Sequence, residues 1–273
     1  MRAEATRQGS IHFEQTSAPG DEERLATSAL AGGAEAIVAV GGDGTCSRIA
    51  NAILRSGRPC RLAVIPSGTG NDFAKTLGVR NLEPKELLEL VQRGNVTRID
   101  LGRVDGHYFL NSCGFGFDAS VLDASNKVRF LKGDAVYIYS ALAQLLTYRG
   151  VDVKIDGTNP SRLLMVTVSN GRMLGGVFRI APTASVIDGE LDVAYFANCG
   201  LFQRIMIFAG AFRGTHLRLA SVRSEKRSRL TLELSEPPSM EVDGELLRAN
   251  TRSVSIECVR GALAVVVAPG AAL

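Results

Sequence analysis

Gly41-Gly42-Asp43-Gly44-Thr45 and Pro66-Ser67-Gly68-Thr69-Gly70-Asn71-Asp72-Phe73 each follow a short apolar run, Ala36 to Val40 and Leu62 to Ile65. Apolar runs of that length, closed by glycine-rich turns, read as buried parallel strands. In an open α/β sheet, ligands settle at the carboxyl edge of the strands, so both loops are expected to line one crevice. Glycine lets backbone N–H groups approach phosphate oxygens where a side chain would block them. Asp43 and Asp72 stand 29 residues apart, about the length of one β–turn–α–β unit. A carboxylate in a phosphate loop is repelled by its ligand unless it holds a cation, orients a hydroxyl or meets the nucleotide elsewhere, and Mg²⁺ is the implied companion. The loops spell neither G-x-x-x-x-G-K-[ST] nor G-x-G-x-x-G, which sets aside a P-loop and a dinucleotide fingerprint. Either loop alone also reads as an ordinary tight turn.

Working outward, residues 1–98 alternate helix and strand patterns. Pro19-Gly20-Asp21 opens a helix over 22–31 with Asp21 as N-cap and Gly32-Gly33 as its stop. Strand 36–40, a helix near 47–56, strand 61–65, a helix start at Asn71 and a helix over 84–93 follow, which is a doubly wound parallel α/β domain. From Thr97 the pattern changes to strands at 98–104, 107–111, 151–155, 163–169, 191–196, 229–234 and 253–259, interrupted by helices over 134–148 and 201–212. That spacing predicts a mainly antiparallel β-sandwich over 99–259.

The 273 residues exceed the usual single-core size and suit two domains. Apolar residues make up 45% of the chain and no long charge run interrupts it, so disorder is not expected. Thirty-one basic against 28 acidic residues leave +3, too little to argue for nucleic acid. The five cysteines are far apart and form no C-x-x-C, so the sequence suggests neither a zinc site nor a disulfide framework. No apolar core of a signal peptide lies in 1–20, and the most apolar helix, 201–212, is too short to span a bilayer. A cytoplasmic protein that meets membranes only at their surface is expected.

The two loops, followed by Asn111 to Ala119 (NSCGFGFDA), Asp188 to Val193 (DGELDV) and Asp243-Gly244-Glu245, resemble the bacterial diacylglycerol kinase family, the lipid kinase group that includes sphingosine and ceramide kinases. The likeness runs from about Thr16 to the last residues. It implies that ATP and Mg²⁺ bind in an interdomain cleft, that a lipid hydroxyl is the phosphoryl acceptor, and that residues 260–273 return to the first domain. By the same likeness the nucleotide contacts are Thr16, Gly41, Gly42, Asp43, Gly44, Thr45, Gly68, Thr69, Asn71 and Asp72.

The catalytic set is Asp43 with Asp243 and Glu245. Either of the last two could take the hydroxyl proton, the other orienting it or binding metal through water. A structural Mg²⁺ is implied at Asp188 and the carbonyls of Ser185 and Glu190, although a turn leading into strand 191–196 explains the same letters. Arg48 and Lys75 are the cations nearest the loops in sequence. The apolar 201–212 segment followed by Arg213, His216, Arg218, Arg223, Lys226, Arg227 and Arg229 is expected to face anionic lipid headgroups. A homodimer is compatible with the sequence, and nothing in it argues for nucleic acid.

The family pattern opens with a strand and an Asn-Pro-x-[Ser/Ala]-Gly loop. No such segment precedes Thr16, and Met1 to Ser10 are polar, so the sheet is expected to lack its first member. This leaves a catalytically impaired lipid-binding relic as one rival. A NAD-kinase-like enzyme is another, because NAD kinases share the Gly-Gly-Asp-Gly loop on a similar plan, although the second domain holds no Gly-Ser-Thr-Ala-Tyr-like segment.

Overall fold

Parallel pairing of two short strands sets the geometry of the whole first lobe. In the computed structural model, which describes residues 11–18, 20–93, 95–125, 127–128 and 134–273, β1 (Ala36–Gly41) lies beside β2 (Arg61–Pro66) with Gly41 opposite Pro66. Both glycine-rich loops therefore leave the sheet at the same level, as the sequence predicts. The polar residues 1–10 and Pro19 lie outside the described residues.

Helix α1 (Asp21–Ala31) starts one residue earlier than expected. Gly20, at φ 92°, is the N-cap instead of Asp21. The Asp21 carboxylate accepts from Ser17 N and Ala18 N and ties the preceding turn to the helix.

The larger correction concerns α2 (Asp43–Ser56), expected from Ser47 onward. Gly42 is its extended N-cap, so Asp43, Gly44 and Thr45 form the first helical turn, where a carboxylate meets the positive end of the helix dipole. Gly57, at φ 64°, ends the helix. After β2 the chain forms α3 (Asp72–Thr76), with Asn71 as its N-cap in left-handed backbone, and then α4 (Pro84–Arg93).

The second lobe contains β3 (Val96–Val104), β4 (His107–Phe109), β5 (Ser112–Gly116), α5 (Phe117–Ser125), α6 (Asp134–Thr147), β6 (Val151–Ile155), β7 (Ser161–Ser169), β8 (Leu191–Ala197) and α7 (Leu201–Ala211). A 3₁₀ turn (His216–Arg218), β9 (Val222–Arg227), β10 (Arg229–Leu234), β11 (Ser239–Val242), β12 (Glu245–Arg248) and β13 (Ser253–Val266) complete it. Its ladders are antiparallel. Strands β5, β9, β11 and β12 and helix α5 are additions to the sequence reading. They are short, and glycines or charges break their alternation.

Strand β13 joins the lobes. Ile256 to Val259 pair antiparallel with β3; past an irregularity between Val259 and Leu263 the ladder with β3 resumes, and Ala264 and Val265 also run parallel to β2. The chain's end thus returns to the first sheet. Asp100 fixes the irregularity, accepting from Gly261 N at 2.6 Å and from Gly189 N at 2.6 Å. One apolar core fills the first lobe around Leu62, Val64, Phe73 and Val265, another lies within the β-sandwich around Phe115, Val166 and Ile256, and a third lies beneath α5, α6 and α7.

Candidate active site

Side-by-side exit of the two loops forces backbone against backbone. A Cβ on Gly68 would sit 2.5 Å from Gly42 Cα, closer than real atoms approach, so glycine is required there. The Thr45 side chain folds over Gly41, where an added Cβ would lie 2.5 Å from it. Asn71 closes the second loop on itself, accepting from Gly68 N at 3.0 Å and donating Nδ2 to Gly68 O at 2.6 Å.

Asp43 is the hinge of the crevice. Its Oδ1 accepts from Phe73 N at 2.9 Å and from Asn111 Nδ2 at 3.4 Å, which ties it to the second loop and to the other lobe. Its Oδ2 lies against Gly70, 3.1 Å from where a Cβ would stand.

Asp72 has a different task from its neighbour. Both of its oxygens are engaged, one by Lys75 Nζ at 2.7 Å and the other by Gly176 N at 2.9 Å. Burial raises its carboxyl above the ordinary range while Lys75 pulls it back. Lys75 also donates to Gly176 O. The second loop is thereby clamped to the turn Gly175-Gly176, both at positive φ. That turn forms a third wall, and sequence reasoning missed it, although its glycine pair was the available signal.

From the second lobe comes the turn between β11 and β12. The structure separates its two acids, which the sequence left interchangeable. Asp243 is buried, 4% exposed, and accepts from Leu110 N at 2.7 Å, Asn111 N at 2.8 Å and Ser112 N at 3.2 Å. Burial pushes its carboxyl up to about 6 against these donors and the Ser47 hydroxyl. Glu245 is half-buried, with Arg48 Nη2 at 2.6 Å from its Oε1, and that oxygen lies 3.7 Å from where a Cβ on Gly44 would stand. Arg48 also reaches Glu22 at 3.3 Å, so it joins α1, α2 and the acidic turn. Asp43, Asp72 and Glu245 thus meet at one crevice.

Beneath the turn lies Glu241, 2% exposed, which accepts from Gly244 N at 2.5 Å. Burial, with the charges of Asp118 and Asp243 adding, holds its carboxyl well above the ordinary range. Glu241 faces Gly114 across the β11–β5 ladder, and the Asp118 carboxylate fills the space a side chain at Gly114 would take. Asp118 in turn borders an apolar cavity walled by α5, α6, α7 and β7, with Leu145, Met165, Phe178 and Ile207 among its lining. The acidic turn and the cavity therefore share a floor.

Other expected residues lie apart or are already engaged. Thr16 is exposed on the segment before α1, and no hydrogen bond joins it to either loop among the described residues. Thr69 is exposed at the tip of the second loop. At 185–190, Lys226 pairs with the Asp188 carboxylate, which also accepts from Glu190 N at 3.0 Å, and Ser185 Oγ donates to Leu273 O at 3.0 Å. Lys226 is thus the cation beside this donor set. Among the described residues no cluster of three or more His, Cys, Asp or Glu side chains forms a metal nest.

The basic run after α7 is mostly spoken for. His216 is buried and stacked on Phe196, Lys226 pairs with Asp188, Arg227 with Asp156 and Arg229 with Glu257, while Arg223 lies over Tyr195. Arg213 and Arg218 form no ion pair among the described residues, so the run is engaged only in part.

Residues 2–104 match the family model of the diacylglycerol kinase catalytic domain, and residues 111–267 match the YegS C-terminal NAD kinase beta sandwich-like domain. The chain belongs to the diacylglycerol kinase family of lipid kinases. A relative named diacylglycerol kinase in Bacillus subtilis is 30% identical over 236 residues, covering 84% of this chain and 77% of the relative. A YegS-like lipid kinase of Pseudomonas fluorescens is 36% identical over 179 residues, 64% of this chain and 58% of the relative. A Bacillus anthracis diacylglycerol kinase crystal structure superposes with a TM-score of 0.72 at 24% identity, covering 96% of this chain and 87% of that one, which speaks to the fold. The NAD-kinase alternative is not favoured, because these relatives carry lipid-kinase names and the likeness to NAD kinase rests in the sandwich domain.

Proposed function

We propose that this family member transfers the γ-phosphoryl group of ATP to the hydroxyl of a diacylglycerol or a similar lipid. The observation that carries this reading is the meeting of the two backbone-lined loops with Glu245 from the opposite lobe. The N–H groups at the start of α2 and in the 69–71 stretch of the second loop receive the triphosphate, where the helix N-terminus favours anionic charge. The small apolar cavity beneath α6 and α7, about 50 Å³, takes no more than the tip of an acyl chain, and Asp118 at its edge lies on the side of the acidic turn.

Glu245 takes the proton as the lipid oxygen bonds to the γ-phosphorus and the bond to the ADP oxygen breaks, a contribution of roughly 10²–10⁴ in rate. Asp243 holds Asn111 and the turn in place rather than acting as the base, since three backbone donors already engage its carboxylate.

A Mg²⁺ arriving with ATP keeps most of its waters and needs only one or two carboxylates. Asp43 Oδ2, facing Gly70, suits that task, and the ion would neutralise charge on the phosphates. The lobes are read as 1–98 with 260–273, and 99–259. The protein is read as cytoplasmic; among the described residues no helix is long and apolar enough to cross a membrane.

The test is purified protein with γ-labelled ATP and Mg²⁺ against a panel of diacylglycerol, sphingoid base and ceramide. Labelled lipid is the expected product. Failure with every lipid, or with NAD as the only acceptor, overturns the reading. Calorimetry with ATP and Mg²⁺ separates an impaired relic, which does not bind, from an active kinase.

A further inference from the structure

The cation beside Glu245 is itself held from a second side. Arg48 stands in the second turn of α2, with Nη2 2.6 Å from Glu245 Oε1 and Nη1 3.3 Å from Glu22 Oε2 on α1. That Glu22 oxygen is fixed in turn, since it also accepts from Gly20 N at 2.9 Å where α1 begins. One guanidinium thus links the first helix of the first lobe to the acidic turn of the second.

Local helix geometry explains the reach. Helical side chains lean toward the N-terminus of their helix, and residues four apart share a face. Arg48 therefore lies over the first turn of α2, on the face of Gly44. The bare backbone of Gly44 leaves room for the Glu245 carboxylate, whose Oε1 comes within 3.7 Å of where a Cβ would stand. The planar fork of an arginine can face two carboxylates at once in a fixed geometry, whereas the point charge of a lysine cannot. Lys75, the other cation near the loops, is already engaged by Asp72 and Gly176 O.

The pair does little for stability. The two side chains are 34% and 35% exposed, and ion pairs that open to water contribute little to folding. Its effect falls on direction instead. Arg48 occupies Glu245 Oε1, and no other residue among those described engages Oε2, which leaves that oxygen turned to the crevice.

Resting on the reading of Glu245 as the base, we infer that Arg48 is a positioning residue for phosphoryl transfer: anchored on Glu22, it holds Oε1 of Glu245 and so aims Oε2 at the acceptor hydroxyl. The hydroxyl proton passes to Oε2 as the lipid oxygen bonds to the γ-phosphorus and the bond to the ADP oxygen breaks. Arg48 keeps its own protons throughout. A reacting group displaced by about 1 Å costs about 10² in rate.

Steady-state kinetics of the full chain with Arg48→Met, Glu245→Gln and the two combined test the inference. Arg48→Met should lower kcat about 10²-fold with KM for ATP within about twofold of wild type. Arg48→Lys should recover part of that loss, and Glu22→Gln, which alters only the anchor on α1, should lower kcat by a smaller factor. Because Arg48 acts through Glu245, adding Arg48→Met to Glu245→Gln should lower kcat by no more than about twofold further. An arginine that only braced the fold or bound phosphate would subtract its full factor again.

Additive losses overturn the inference, as does Arg48→Met at wild-type kcat or with its whole effect in KM for ATP. Glu245→Gln at wild-type turnover overturns the reading of the base instead. If the wild type labels no lipid, the lipid-kinase reading fails and hydrogen exchange still decides the positioning. Faster exchange at 244–247 in Arg48→Met, with 188–190 unchanged, is then the expected result, and identical exchange overturns it.

Discussion

The tripeptide Asp-Gly-Glu occurs twice in this chain, at 188–190 and 243–245, and the two copies do different things. Each has its glycine at positive φ, 77° at Gly189 and 87° at Gly244. The first copy is held shut: Asp188 pairs with Lys226, and Gly189 N is held by Asp100. In the second, Asp243 is drawn inward by three backbone donors, which turns Glu245 out to the crevice beside Arg48 and Gly44. Identical letters take up an open or a closed arrangement from what the neighbouring strands offer their carboxylates.

Matched substitutions sharpen that contrast. Glu245→Gln keeps the shape but removes the proton acceptor, and kcat should fall roughly 10²–10⁴-fold; Glu190→Gln should stay within about twofold of wild type. Equal losses in steady-state assays of the two would break the comparison. Asp43→Asn should cost about 10² in kcat by weakening charge placement around the phosphates, with the circular dichroism spectrum unchanged.

Asp243→Ala is expected to act through the fold. It leaves three buried N–H groups without their acceptor and should cost about 3 kcal/mol in urea unfolding. An unchanged midpoint would remove its clamping role. Lys226→Met, at the other copy, breaks an ion pair near the surface and should cost less than about 1 kcal/mol.

A pH effect of smaller size follows from His216. Burial holds its imidazole below the ordinary 6.5, with its ring nitrogen on Ile180 O at 3.1 Å. The neutral form is the one the fold prefers, so this stabilisation is complete above about 6.5 and is lost as pH falls below it. His216→Gln should flatten that limb of a stability–pH curve measured by thermal unfolding.

The strand-then-loop pattern at 36–45 and 62–73 was legible because buried parallel strands are continuous apolar runs and glycine marks close backbone approach. The return of residues 260–273 to the first lobe was expected from the family likeness, and Ala264 and Val265 pair parallel with β2. Strands β11 and β12 were not legible, since Glu241 places a charge where alternation demands an apolar residue, and only its contact with Gly244 N and its position over Gly114 explain it. Nor could the sequence separate Asp243 from Glu245, because the donors that distinguish them come from residues 110–112, more than a hundred positions away. The ion pairs of the long basic run were not legible for a similar reason: its partners Asp156, Asp188 and Glu257 come from elsewhere in the chain.

The central claim is that one triphosphate site is built across both lobes. Hydrogen exchange of the full chain, with and without a non-hydrolysable ATP analogue and Mg²⁺, tests it most directly. Protection of amides at 42–45, at 68–72 and in the 243–245 turn together, with 188–190 unchanged, is the predicted result. Protection confined to one lobe, or appearing at 188–190 instead, would contradict it.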